Sequence, residues 1–310
     1  MLKFNASVSL AKSWKASAYG NTMAYEGNDQ MEKLIDLHTH SVYSDGTMTP
    51  SELVCHAKKE GISAISLTDH DSVDGVCEAL EKGREIGIEV VPGIEFSVQS
   101  ETETHILGYY IDVESQALKN VLPKILNTRR ERGLETAEKL KKQGIDVSYE
   151  DALSLAPGGL VGRAHFARIM TERGYTKSVK EAFERYLSSG KKGYSSRQYL
   201  TDEEAIRIIK ESGGVSFVAH LHLIRLPDDE LYEYLKKLKS AGLDGIEGYY
   251  TEYTGQMQST YQKMASSLSL AISGGTDFHA ESKPHISIGR GLGEMKIPYD
   301  ILTGIKTLVK

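Results

Sequence analysis

The chain has 310 residues, 40% hydrophobic and 26% charged, with a formal net charge of −6; this is globular composition, and its length excludes dependence on disulfide or metal staples for a core. The acidic balance excludes a general attraction to nucleic acid or anionic membrane, so a phosphate-bearing ligand must be held by a local site. Two cysteines, Cys55 and Cys77, each sit in a helical pattern without a CxxC, and no apolar run reaches the roughly 18 residues of a membrane span, which predicts a cytoplasmic protein with no membrane and no disulfide-linked partner.

Residues 1–30 carry no assignable period, and Met31 immediately precedes the first strand; they are expected to be a disordered extension or a start-site artefact, with a short ordered arm as the alternative. From Lys33 short apolar strands alternate with amphipathic helices, which predicts a parallel α/β fold. Strand 33–40 (KLIDLHTH) is followed by helix 49–60, opened by Thr49-Pro50-Ser51-Glu52, a threonine cap with proline at the first helical position. Strand 64–70, helix 74–87, strand 88–98 and strand 104–112 follow. Residues 113–200 read as a helical insertion that divides the barrel into 33–112 and 201–310. The alternation resumes with strand 213–220, helix 228–241, strand 244–250, a helix near 255–268, strand 270–279 and a last helix near 298–309. Seven or so strands fit a closed or nearly closed barrel, whose catalytic residues gather at the C-terminal strand ends.

Most of the ten histidines fall at that kind of place. His38 and His40 close the first strand, His70 the second and His220 the fifth; Glu95 lies near the end of the third, and Asp277 and His279 close the last. His105 sits on strand 104–112 and Asp45 just after the first strand. In His-x-His on a strand both side chains point to one side, and Asp277-x-His279 is expected to repeat that geometry. Mixed histidine and carboxylate ligands suit Zn, Mn or Fe. A lone histidine at a strand end is more often packed than ligating, but this many in register with the α/β rhythm predict a metal site. His56, within a helix, reads as structural.

The runs IDLHTHSVYSDGTMTPSEL, ISLTDHDSVDG, VPGIEFS, HILGYY, VAH, GIEGYY and SGGTDFH, in that order, resemble the polymerase-and-histidinol-phosphatase (PHP) superfamily. The chain is most similar to its small bacterial phosphoesterases with a helical insertion. One branch of these removes the 3′-phosphate of nucleoside 3′,5′-bisphosphates, and related members trim short RNA from the 5′ end. The resemblance implies a distorted (β/α)7 barrel and two or three divalent ions (Mn, Fe or Zn). It implies one ion on His38, His40, Glu95 and Asp277, a second on Glu95, His105 and His220, and a third on Asp45, His70 and His279. It also implies hydrolysis of a phosphomonoester of a small nucleotide by a metal-bridging hydroxide. The alternatives are 5′-to-3′ exonuclease action on short RNA, histidinol-phosphate phosphatase activity, or a non-catalytic metal-binding accessory module.

The insertion is expected to cap the substrate. Its GLVGRAHFARIM stretch resembles the family's Gly-Arg-x-His segment, which implies substrate contacts from Arg163 and His165, with Arg163 stabilising the developing charge. The nearby SSGKKGYSSR supplies Lys191 and Arg197 as further candidates, against the plainer reading of solvated loop charges. The segment Ala219-His220-Leu221-His222 departs from the family's Ala-His-Pro, which makes His222 a candidate proton donor or a bystander. Asp69 is a candidate for orienting a ligand histidine. Tyr249, Tyr250 and Tyr253 could stack a base, although ordinary packing is the favoured reading.

Overall fold

The computed structural model of the chain describes residues 33–100, 102–196 and 200–309; the expected extension at 1–30 lies outside them. One seven-stranded sheet runs in chain order: β1 (Leu34–Thr39), β2 (Ile62–Leu67), β3 (Glu89–Ser97), β4 (His105–Tyr109), β5 (Val215–Val218), β6 (Gly245–Tyr250) and β7 (Ala271–Gly275). The sheet curls into a nearly closed barrel. Just beyond β7, Phe278 meets β1: the His40 N–H donates to its carbonyl at 2.9 Å, and its own N–H donates to the His38 carbonyl at 3.2 Å. Gly275 permits that approach, because a Cβ there would stand 2.2 Å from the His38 Cβ.

The all-parallel expectation is corrected at β4, which runs antiparallel to both β3 and β5, while the other pairings are parallel. The reason is connection length: β3 and β4 are separated by only Val98–Thr104, too few residues for a helical crossover. As a consequence His105, the first residue of β4, stands on the rim where the parallel strands end.

Helices α1 (Pro50–Lys59) and α2 (Val76–Ile86) connect the first strands, and α1 opens as expected with a Thr49 cap and Pro50, the cap being completed by Glu52 into a capping box. The insertion comprises α3 (Gln116–Lys141), α4 (Tyr149–Leu153), α5 (Arg163–Glu172) and α6 (Val179–Ala182), the last running into a π-helical turn at Phe183–Leu187. Helices α7 (Asp202–Glu211), α8 (Asp228–Ser240), α9 (Gly255–Leu268) and α10 (Tyr299–Lys306) complete the chain. Ile35, Leu37, Leu107, Tyr109 and Phe217 belong to one buried cluster. They come from strands that are not all neighbours, so the cluster fills the barrel. Burying each such side chain contributes roughly 1.5–3 kcal/mol. The insertion has its own apolar cluster, which includes Leu140, Tyr149, Phe166 and Met170, yet Lys33–Lys310 pack as one unit.

Candidate metal centre

All nine residues expected as ligands converge at the C-terminal rim of the barrel. Glu95 is the hub: its Oε2 lies 3.3 Å from His38 Nε2, 3.3 Å from His40 Nε2 and 2.9 Å from His70 Nδ1. Its Oε1 lies 2.8 Å from His105 Nδ1 and 3.1 Å from His220 Nε2. Asp277 Oδ1 is 3.5 Å from His38 Nε2 and 3.2 Å from His40 Nε2, so the strand pair does present both imidazoles to one side. Asp45 Oδ1 lies 3.0 Å from His279 Nε2, and Asp45 Oδ2 lies 3.9 Å from His70 Nε2. Three overlapping groups of donor atoms result: His40, Asp45, His70 and His279; His38, His40 and Asp277; and His70, Glu95 and His105.

Two local expectations are corrected. β5 ends at Val218 and β7 at Gly275, so His220, Asp277 and His279 lie past their strands. His220 (φ 25°) and Asp277 (φ 56°) adopt positive φ, so a turn rather than strand alternation brings Asp277 and His279 together. Positive φ is uncommon outside glycine and raises the energy by about 1–3 kcal/mol per residue. It is concentrated here where the side chains must converge.

The chemistry of the pocket fits divalent cations. His38 Nε2, His40 Nε2, His70 Nδ1, His105 Nε2, His220 Nδ1, Asp45 Oδ1 and Glu95 Oε2 are buried without a hydrogen-bond partner. Each such atom costs about 1–3 kcal/mol unless something coordinates it. Burial opposes charge on Glu95, yet His70, His105 and His38 hold its pKa well below the usual carboxylate range. Burial, against the pull of Glu95, lowers His105 to about 4 and so favours the neutral imidazole that ligates metal.

Outer contacts set the rings. Glu247, fully buried, faces His38 Nδ1 at 2.9 Å and accepts the His220 N–H at 2.7 Å. Asp69 accepts from the Ser41 N–H and from the Ser41 and Ser44 hydroxyls, and Ser44 Oγ lies 3.3 Å from His40 Nδ1. Asp69 thus reaches a histidine through a serine rather than directly. Tyr250 donates to Asp277 Oδ2 at 3.0 Å; Tyr253 accepts the Leu221 N–H at 2.8 Å and donates to the Glu247 carbonyl at 3.2 Å. These two tyrosines are packing and hydrogen-bonding residues of the rim.

A cavity lies between this floor and the insertion, whose side contributes Ala164, Arg168, Val179 and Phe183. Lys283 also lines it, with Nζ 2.6 Å from Asp277 Oδ2. Sequence reasoning missed both cations. Arg168 had a signal, since it stands one turn beyond Ala164 and three residues beyond His165 on one helix; Lys283 had none. His165 is buried; its Nδ1 accepts the Gly162 N–H at 2.9 Å and its Nε2 has no partner. Arg163 lies in the adjacent cavity with Ser188, Tyr194 and Arg225, and Phe183 and Glu103 border both cavities. The Arg163 guanidinium stands over Phe183 (5.6 Å) and Tyr194 (5.5 Å) and donates to the Leu187 carbonyl at 3.2 Å. Lys191 is exposed and lines neither cavity, and Arg197 lies outside the described residues. His222 does not join the rim cluster: its Nε2 is 3.1 Å from Glu252 Oε2, and it borders a different cavity with Gln256 and Tyr261. His56 stacks on Phe278 (5.6 Å), in keeping with a structural role.

A model of the PHP domain matches residues 36–277, the span that holds eight of the nine expected ligands, with His279 just beyond it. The chain belongs to the PHP domain family. This PHP chain is 34% identical over 262 residues to the 5′-3′ exoribonuclease Rnm of Salmonella typhimurium, covering 84% of this chain and 89% of that protein. It is 32% identical over 257 residues to the 3′,5′-nucleoside bisphosphate phosphatase of Chromobacterium violaceum, covering 82% and 90%. In structure it is similar to a protein of Bifidobacterium adolescentis described as a candidate metal-dependent phosphoesterase, with a TM-score of 0.80, 29% identity, and coverage of 89% and 96%. It is a metal-dependent phosphoric ester hydrolase that uses divalent ions. Among the described residues no helix is long and apolar enough to cross a membrane.

Proposed function

We propose that this chain hydrolyses a phosphomonoester of a small nucleotide of the nucleoside 3′,5′-bisphosphate kind, in the cytoplasm. Two or three Mn, Fe or Zn ions would be held by His38, His40 and Asp277, by His105 and His220, and by Asp45, His70 and His279, with Glu95 shared. The observation that carries this reading is the set of unpartnered buried donor atoms on the barrel rim, faced across the cavity by Arg168 of the insertion, with His165 of the same helix within electrostatic reach of Asp45. When bound, the ions supply an activated water and neutralise phosphate charge.

The remaining work falls to the chain. Arg168 and Lys283 add positive charge around the phosphoryl oxygens, and the arginine fork suits bidentate binding. Because His165 Nδ1 accepts the Gly162 N–H, the neutral ring carries its proton on Nε2, a donor suited to a phosphate oxygen. Phe183 lines the cavity and adds apolar surface to it. Arg163 extends the cationic surface into the adjacent cavity. That cavity, which also carries Arg225, favours a second reading: 5′-to-3′ exonuclease action on short RNA, with the next nucleotide beyond Phe183.

Mn-reconstituted protein assayed on a nucleoside 3′,5′-bisphosphate, a 5′-phosphorylated tetranucleotide and histidinol phosphate separates these activities. Orthophosphate release from the bisphosphate, abolished by chelation and restored by metal, is the expected result. Mononucleotide release from the tetranucleotide alone would select the second reading, and turnover of histidinol phosphate alone would sink both. A folded, metal-loaded protein that turns over none of them would overturn all three substrate readings.

A further inference from the structure

Arg129 lies outside the cavity, yet it is only 4% exposed on a long helix that is otherwise largely solvated. Its Nε and Nη2 both donate to Asp71 Oδ2, the Nε at 2.9 Å, and Nη2 also donates to Ser97 Oγ at 3.1 Å. Asp71 is itself committed to the barrel. Its Oδ1 accepts the Ser97 N–H at 2.9 Å, its N–H donates to the Glu95 carbonyl at 2.9 Å, and its φ is 50°. It follows His70 directly, and Ser97 stands two residues after Glu95. On its other side the guanidinium lies under the start of α5: a Cβ at Gly162 would be 3.7 Å from Arg129 Nη1. The same roof makes a second, apolar contact, where Gly158 sits so close to Tyr43 that a Cβ would meet the ring at 3.1 Å.

A buried ion pair is a weak source of stability compared with apolar packing, but two guanidinium donors converging on one carboxylate oxygen, with a third bond to Ser97, fix direction. Stability here has other sources, since Leu118 and Ile125 of α3 already pack into the barrel's outer core. We propose that Arg129 is a positioning residue: through Asp71 and Ser97 it sets the placement of α5, and hence of His165 and Arg168, over the metal-binding rim. It touches neither metal nor substrate. The kinetic arm of its test rests on the phosphoesterase reading, and the exchange arm does not.

Arg129→Met would leave the Asp71 charge buried without its partner and is expected to compromise folding, so the informative variants are Arg129→Lys and the double variant Arg129→Met/Asp71→Asn, which removes both charges. Both are loaded with Mn and compared with the wild type for metal content, KM and kcat on the nucleotide that the wild type turns over, and hydrogen exchange. Displacement of a positioning helix by about 1 Å is expected to lower kcat/KM by ~10- to ~100-fold, mainly through KM, with metal content unchanged. Arg129→Lys, which keeps the charge without the fork, should fall in between. Amides of residues 162–172 should exchange faster in the double variant while the barrel strands stay protected. Wild-type kinetics with only a lower Tm, or activity lost in proportion to metal, would overturn the proposal. If the wild type turns over no phosphate ester, the phosphoesterase reading fails. The exchange data then decide alone: loosening confined to 162–172 supports the proposal, and unchanged exchange there overturns it.

Discussion

Replacing Glu247 by glutamine tests how the cluster is tuned without changing side-chain volume. Glu247 is fully buried, with Oε1 2.9 Å from His38 Nδ1 and Oε2 accepting the His220 N–H at 2.7 Å. A glutamine has one acceptor oxygen for these two positions. If its NH2 faces His38, it selects the tautomer with Nδ1 bare and the proton on Nε2, the atom that points at Glu95 and Asp277 and would ligate metal. If its NH2 faces His220 instead, a buried backbone N–H loses its acceptor. Either outcome costs about 1–3 kcal/mol, which corresponds to ~5- to ~150-fold in metal affinity. That range brackets the 10- to 100-fold typical of residues that orient metal-ligating histidines. Competition against a chromophoric chelator measures the affinity, and a thermal melt checks that the fold survives. Wild-type affinity in a folded Glu247→Gln protein would refute the argument that Glu247 sets the His38 tautomer.

Two further substitutions probe the roof and the barrel seam. Arg168→Ala should raise KM on a mononucleotide at least ~10-fold, as expected for loss of a charged hydrogen bond worth about 1.5–3 kcal/mol, with metal content unchanged. Arg163→Ala should matter less on that substrate than on an oligonucleotide, and steady-state kinetics showing the reverse order would contradict the assignment of the two arginines. Gly275→Ala forces a Cβ to within 2.2 Å of the His38 Cβ, an overpacking expected to destabilise by about 1–3 kcal/mol and to lower metal content; a melting temperature and metal content like the wild type's would show that the seam can relax.

Much of the rim was legible because it depends on local rules. Strand and helix periods located every strand from β1 to β7, and strand-end histidines fall on one rim of any barrel built this way. The Thr49 cap was readable for the same reason. The β4 reversal was the fold feature that escaped, because apolar alternation carries no direction; only the short Val98–Thr104 connection did. The positive φ of His220 and Asp277 was also hidden, since neither is glycine; at Asp277 the turn accompanies closure of the next residue, Phe278, onto β1.

The roof was less legible for a reason of a different kind. The sequence segment Gly162–His165 was singled out by likeness to relatives, which identifies a helix start but not the face that it turns toward the rim. That face depends on how α5 docks, and the docking depends on Arg129, Asp71 and Gly158; Asp71 lies within the ISLTDHDSVDG run, but Arg129 and Gly158 fall in none of the runs that carry the resemblance. Once α5 is held there, helical periodicity takes over: Ala164 and Arg168, one turn apart, look into the metal cavity, while Arg163 turns to Phe183 and Tyr194 in the next one. The division of labour between two arginines five residues apart therefore rests on an ion pair that ties α3 to the barrel. It follows that substrate choice in this chain can change through the docking of the insertion while every metal-binding residue stays in place.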